Sequence, residues 1–130
     1  MMSSDALFSV TKTFGHERGL SCAFRQWRAR SHCTKLHGYA LSFEVELVAK
    51  TLDARNWVYD FGYFGSLKEQ LVFYFDHTTA VDAADPYVKD LMLLHQSGVI
   101  DIRVFDDGVG CERFAEFVAS RIAGGVLALP

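Results

Sequence analysis

The segment Tyr39–Leu47 leaves the chain little choice of local structure. Tyr39, Leu41, Phe43, Val45 and Leu47 alternate with Ala40, Ser42, Glu44 and Glu46. A period of two is that of a strand with one buried face. Such a strand needs a partner. Leu7 to Phe14 offers one, with Phe8, Val10 and Phe14 on one face and Ser9, Thr11 and Thr13 on the other. The polar stretch Lys50–Asn56 reads as a turn, and Trp57–Tyr59 as a short third strand returning as an antiparallel hairpin. Glu17 to Ser31 has no clean period and reads as a loop carrying arginines and aromatic residues.

The second half of the chain changes period. Asp60 can cap a helix whose apolar positions Phe61, Phe64, Leu67, Leu71 and Phe75 recur at three and four. Gly62 and Gly65 weaken its first turn. Asp85-Pro86 is a cap followed by proline at the first helical position, and Gly98 ends that helix. Ile100, Ile102 and Val104 suggest a short strand. A last helix is expected from Cys111 to Ile122, with Phe114, Phe117 and Val118 inward, Cys111 on the apolar face and a stop at Gly124-Gly125. The order β-β-β, α, α, short β, α is that of an α+β domain, and no repeat or linker divides residues 1–130.

Composition narrows the function. A net charge of −3 with no uniformly basic face argues against general nucleic-acid binding. No apolar run approaches the roughly 20 residues needed to cross a bilayer, so no membrane role is expected. The three cysteines, Cys22, Cys33 and Cys111, are irregularly spaced, and the chain opens without a cationic, apolar leader. Both features read as a cytoplasmic protein with reduced thiols. Half the residues are hydrophobic and 14% are aromatic. That is rich for this length and suggests burial against other subunits.

The residues able to carry chemistry gather around the start of the alternating strand. Cys33 lies four residues ahead of His37, beside His32 and Lys35. A nearby cation or metal draws a thiol towards the thiolate that base or nucleophile work requires. A His-Gly-His triplet at positions 37–39 would offer two imidazoles to one metal, with His16 as a third ligand and one open position, the pattern of catalytic zinc. This chain has Tyr39 in the second place. His16 would share the face of Phe14 if extended geometry continued through Gly15, although Gly15 could equally mark a bulge. His16 and His37 also suit polar strand ends satisfied by backbone groups. Asp76-His77 closes the apolar run Leu71–Phe75, and an aspartate beside an imidazole can fix its tautomer and raise its basicity. Both residues are also common helix caps. Arg18, Arg25, Arg28, Arg30 and Lys35 crowd the segment before the strand.

Taken in order, these pieces resemble the 6-pyruvoyl-tetrahydropterin synthase and 6-carboxy-tetrahydropterin synthase family. The resemblance rests on Phe8–His16 as a first strand ending in a histidine, on Cys33-x-x-x-His37-Gly38 with the strand after it, on Trp57-Val58-Tyr59-Asp60-Phe61 leading into a helix, and on Phe75-Asp76-His77. Val109-Gly110-Cys111-Glu112 takes the place of a Pro-Thr-x-Glu signature and keeps only the glutamate. The match runs over roughly residues 7 to 122.

The resemblance implies a tunnelling fold (T-fold): an antiparallel sheet with helices packed on one face, assembled as homo-oligomeric trimers or hexamers. It implies a zinc-dependent lyase acting on 7,8-dihydroneopterin triphosphate with loss of triphosphate. Of the family's two activities, the 6-carboxy type, which feeds queuosine and other deazapurines, is favoured by the compact size and short C-x-x-x-H spacing; the 6-pyruvoyl type is the alternative. Carried over, His16 and His37 would hold Zn2+, with Tyr39, His32 or no residue in the third place, the last leaving the metal lost. Cys33 would be the proton-abstracting base and Asp76 and His77 a second proton relay. The basic loop residues Arg28, Arg30 and Lys35 read either as a cradle for the triphosphate or as a solvated loop. Two departures stand out. Tyr39 replaces a zinc histidine, and the family's C-terminal hairpin, with its pterin-anchoring glutamate, is missing after the last helix. The latter implies either a truncated product or an altered pterin site, and a non-catalytic oligomeric relative is the competing reading.

Overall fold

Between Phe8 and Ala49 the chain forms one long, bent hairpin. In the computed structural model, which describes residues 6–123, its arms are β1 (Phe8–Phe14) and β2 (Leu20–Phe24) going up, and β3 (His37–Leu41) and β4 (Phe43–Ala49) coming down. β1 pairs antiparallel with β4 from Phe8 opposite Ala49 to Phe14 opposite Phe43. β2 pairs antiparallel with β3 from Leu20 opposite Leu41 to Phe24 opposite His37. The alternating strand read from sequence is thus two strands broken at Ser42, with its side-chain parity kept across the break: Leu41 and Val45 are both buried.

The break has its cause on the other arm. Between β1 and β2 the chain makes a tight excursion at residues 15–19, closed by a 2.6 Å hydrogen bond from the Gly19 N–H to the Gly15 carbonyl. Gly15 and Gly19 have φ of +79° and +77°. A Cβ at Gly19 would lie 2.6 Å from that of Ala40. Gly19→Ala therefore combines a left-handed backbone, about 1–2 kcal/mol for an L-residue, with a clash against the opposite arm. Denaturant titration should show a loss of at least that size, and a neutral result would mean that the bend is not built as described.

Two strands were missed in the sequence reading. β2 lay inside the supposed Glu17–Ser31 loop. β5 (Thr78–Asp82) follows the first helix, α1 (Phe64–Phe75). With β6 (Ile102–Phe105) they form a four-stranded sheet in the order β3-β2-β5-β6. β5 runs parallel to both β2 and β6. The sheet is therefore mixed, which corrects the expectation of an antiparallel one. The reason is topological: α1 and then α2 (Val88–Gln96) carry the chain back across the sheet before each new strand, and such crossovers generate parallel pairs.

The expected third strand at Trp57–Tyr59 does not form. The Asp53 carboxylate accepts the backbone N–H groups of Arg55 (2.8 Å) and Trp57 (3.0 Å), and the Asp53 N–H donates to the Trp57 carbonyl (2.9 Å). These groups are consumed locally and leave no ladder to make. Asp60 caps as expected, accepting from the Gly62 N–H at 2.8 Å, but a single 3-10 turn, Phe61–Tyr63, precedes α1. α2 begins at Val88, two residues beyond Pro86. It ends at Gly98 in a Schellman motif, with Gly98 N–H on the His95 carbonyl and Val99 N–H on that of Leu94. His95 also accepts the Ile102 N–H through Nδ1 at 3.1 Å, which ties α2 to β6.

The last helix, α3, runs Cys111–Ala123 and buries Phe114 and Val118 as expected, whereas Cys111 is exposed rather than apolar-facing. α1 and α3 pack on the sheet face presented by Leu20, Cys22 and Phe24. The α+β class and its helical layer agree with the tunnelling-fold expectation. The sequence expectation for Gly124–Pro130 lies outside the described residues. Among those described, no helix is long and apolar enough to cross a membrane.

Candidate functional site

The hairpin tip, residues 25–36, carries most of the chemistry-bearing side chains, and buried anions fix its course. Arg25 forms a two-pronged pair with Asp85, Nε to Oδ2 at 2.7 Å and Nη2 to Oδ1 at 3.0 Å, and also donates to the Thr34 carbonyl at 2.6 Å. The Asp85 side chain is only 2% exposed and that of Arg25 20%. The guanidinium holds the Asp85 carboxyl below its usual pKa. One turn of chain away, Asp82 accepts from Trp27 Nε1 at 2.8 Å and from Arg28 Nη1 at 3.3 Å, while the Arg28 guanidinium lies 4.0 Å from the Trp27 ring centre. Gln26 donates to the Val109 carbonyl at 3.1 Å. The tip is thereby clamped to the end of β5 and to the start of α3.

Cys33 sits within that clamp, in a single 3-10 turn, His32–Thr34, capped by Ser31. Its carbonyl accepts the Gln26 N–H at 2.8 Å, and its thiol is free and half-buried. The next residues open β3. His37 donates Nδ1–H to the Lys35 carbonyl, which can only accept. The His32 and His37 ring centres are 5.8 Å apart. Arg30 and Lys35 are exposed on the same loop. Arg28, the third residue expected to cradle phosphate, has its charge answered by Asp82.

Asp76 and His77 lie elsewhere. They face one another, Nδ1 to Oδ1 at 3.2 Å, and Asp76 also takes the Ser21 N–H at 3.0 Å. That backbone bond, foremost, pulls the Asp76 carboxyl down from its usual pKa, with His77 and Arg18 assisting. The His77 N–H bonds the Ser21 carbonyl, which places the pair level with Ser21, three residues along β2 from Phe24. Three residues are about 10 Å of strand, with further strand spacings across the sheet. Within one chain, Asp76-His77 and Cys33 do not share a pocket. A separate apolar concavity of about 580 Å³, walled by Trp57, Tyr59, Phe61 and Val10, contains none of the expected catalytic residues.

Comparison with known proteins adds the family. The profile of the 6-pyruvoyl tetrahydropterin synthase family matches residues 13–128. The chain belongs to that family. The crystal structure of uncharacterized protein WS1659 from Wolinella succinogenes superposes with a TM-score of 0.58 at 21% identity, covering 72% of this chain and 55% of that one. This likeness supports the fold, and the chain spans little more than half of that relative's length. No curated protein matches the sequence.

Placed on this 6-pyruvoyl tetrahydropterin synthase fold, the expected zinc ligands do not converge. Gly15 packs against Leu41, so His16 lies at the far end of β3 from His37, separated by about 13 Å of strand. Its Nε2 is 3.5 Å from Glu17, while the His37 ring is held towards Lys35. The strand that ends beside His37 is β2, and its last residue is Phe24, directly opposite in register. Tyr39 shares the face of Phe24, and their rings stack at 4.1 Å and 14°. Among the described residues no three His, Cys, Asp or Glu side chains come together to hold a metal. Among the described residues His37 has its Nδ1 held by a backbone carbonyl, the support that metal-binding histidines use. His16, His37 and Tyr39 do not fit a zinc ion.

Sequence reasoning missed Phe24, Asp82 and Asp85. Leu20, Cys22 and Phe24 do alternate, and that signal could have exposed β2. Two aspartates three apart in an otherwise small, apolar run, Ala80–Asp85, could have marked the anchors of an arginine-rich loop.

Proposed function

We propose that this family member is a pterin synthase-type lyase that takes 7,8-dihydroneopterin triphosphate and releases triphosphate, with 6-carboxy-5,6,7,8-tetrahydropterin as product and the 6-pyruvoyl compound as the alternative. The observation that carries the reading is the free Cys33 thiol on the hairpin tip, beside His32 and His37, in a chain of this family. In the proposed chemistry the Cys33 thiolate takes a proton from the substrate side chain. The electron pair left behind moves on to expel triphosphate with cleavage of its C–O bond, and side-chain hydrogen is redistributed to the ring, which becomes the tetrahydro form. The 6-carboxy product further requires uptake of one water and C–C cleavage, the outer two side-chain carbons leaving as acetaldehyde; the 6-pyruvoyl product keeps all three carbons. Arg30 and Lys35 are the exposed cations available to the leaving anion, and Asp76-His77 is a second site able to hold a proton. His16, His37 and Tyr39 do not fit a zinc ion, so the proposed proton transfer rests on the chain's own side chains. The proposal includes a cytoplasmic homo-oligomer. Trp57, Phe61 and Tyr63, between 44% and 56% exposed in a single chain, support that assembly.

The test is direct. Purified protein is incubated with 7,8-dihydroneopterin triphosphate while triphosphate and pterin products are followed. Turnover is expected, and Cys33→Ala should lower it by about 100-fold or more, the usual scale for losing a proton-transfer group. Equal rates in the two proteins would sink the role of Cys33; no release above buffer would sink the lyase. The Phe24–Tyr39 stack favours a second reading, a non-catalytic relative that binds a heterocycle. Substrate binding without turnover would select it.

A further inference from the structure

The places that flank His37 on the inner face of the hairpin are Phe24, across the ladder, and Tyr39, two residues along. Side chains at these three positions project to one side of β2 and β3 and meet at the loop end of the sheet. Imidazoles at all three would make a facial trio able to hold a metal with one position open. This chain puts two aromatic rings there. They are in parallel contact with each other, and Phe24, 3% exposed, presses edge-on against Phe114 of α3 at 5.2 Å. The His37 and Tyr39 ring centres stand 6.4 Å apart.

We infer that the Phe24–Tyr39 stack replaces a metal centre: packing between aromatic rings, rather than coordination, fixes the inner face of this hairpin, and the protein holds no zinc through His37. Three lines of chemistry carry the inference. Phe24 has no donor atom. Tyr39 offers only a phenol, which is not among the Cys, His and carboxylate groups that bind zinc. His16, the other imidazole on the first arm, is at the wrong end of the strand. His32, with its ring centre 5.8 Å from that of His37, makes at most a pair, and two imidazoles fall short of the three protein ligands of a catalytic zinc site and the four of a structural one. The stack ties β2 to β3 where a metal would otherwise do so, since a paired aromatic contact stabilises beyond its buried area. The inference is independent of the proposed lyase activity, because it concerns ligand identity and is read by metal content.

The experiment uses the full chain, stripped with chelator and titrated with Zn2+ against a chromophoric competitor, and with Co2+ for its d–d absorption. Wild type and His37→Ala are expected to behave alike, with less than about 0.1 equivalent of competitor-resistant zinc attributable to His37. Phe24→His/Tyr39→His should gain about one equivalent and a tetrahedral Co2+ spectrum, and the gain should vanish when His37→Ala is added. A stoichiometric wild-type site lost in His37→Ala would overturn the inference. So would a folded double variant, verified by circular dichroism, that binds nothing, since the two places would then not be ligand places. If the buried Phe24 substitution prevents folding, the comparison of wild type with His37→Ala decides by itself.

Discussion

Replacing Phe75 with alanine is expected to cost about 3–5 kcal/mol of stability and to lower Tm by roughly 10–20 °C. Phe75 is fully buried, at 0% exposure. Its ring meets Phe43 at 4.9 Å, Phe105 at 5.8 Å and Phe114 at 4.9 Å between ring centres, and so joins α1 to β4, β6 and α3. Truncation forfeits the transfer energy of the ring and leaves a hole lined by other rigid rings, which cannot collapse into it. Against a typical domain stability of about 5–15 kcal/mol, that loss approaches the whole margin. Val72→Ala, an exposed change on the same helix, should stay within about 0.5 kcal/mol. A denaturant titration in which the two variants behave alike would refute Phe75 as the centre of the core.

Asp85→Asn should cost about 3 kcal/mol near neutral pH, the low end for breaking a buried pair, because Arg25 keeps one-fifth of its surface in water. The effect should also depend on pH, with a definite sign. Arg25 lowers the folded pKa of Asp85 below its unfolded value of about 3.9. The folded state therefore binds fewer protons in that window, and the contribution is complete above about pH 5 and decays as pH falls through 4 and below. The gap between wild type and variant should accordingly close in acid; a gap unchanged between pH 7 and pH 2.5 would rule the linkage out. Because Arg25 also holds the Thr34 carbonyl, the variant should loosen the turn around Cys33. In a Cys111→Ser background, where Cys22 is buried, thiol reagents should then modify Cys33 faster than in wild type.

What could be read in the sequence was whatever the chain decides locally. The parity of Tyr39–Leu47, the Asp60 cap, the apolar faces of α1 and α3 and the stop at Gly98 each depend on spacing within a few residues. The family order of Cys33, His37 and Asp76-His77 was legible for the same reason. Long-range pairing was not. Ser42 breaks its strand because the opposite arm turns at Gly15–Gly19. β5 carries no alternation because all five of its residues are buried, as central strands with parallel neighbours are. The placing of His16 failed on one unmarked fact: the first arm has two strands, and the one that reaches His37 ends in Phe24.

The parallel register of β2 with β5 also governs the order of events when the chain folds. Cys22 and Thr78 lie side by side though separated by 56 residues. The bent hairpin can close early, as local pairings do, but β5 joins it only after a large loop is closed and α1 is in place, which is slow. The clamp of Arg25 on Asp85 belongs to that late step, since Asp85 arrives with β5. Damage to the clamp should therefore leave the refolding limb of a chevron nearly unmoved and steepen the rate of escape from the native state. The hairpin tip would then be limited by how long it persists rather than by how fast it forms.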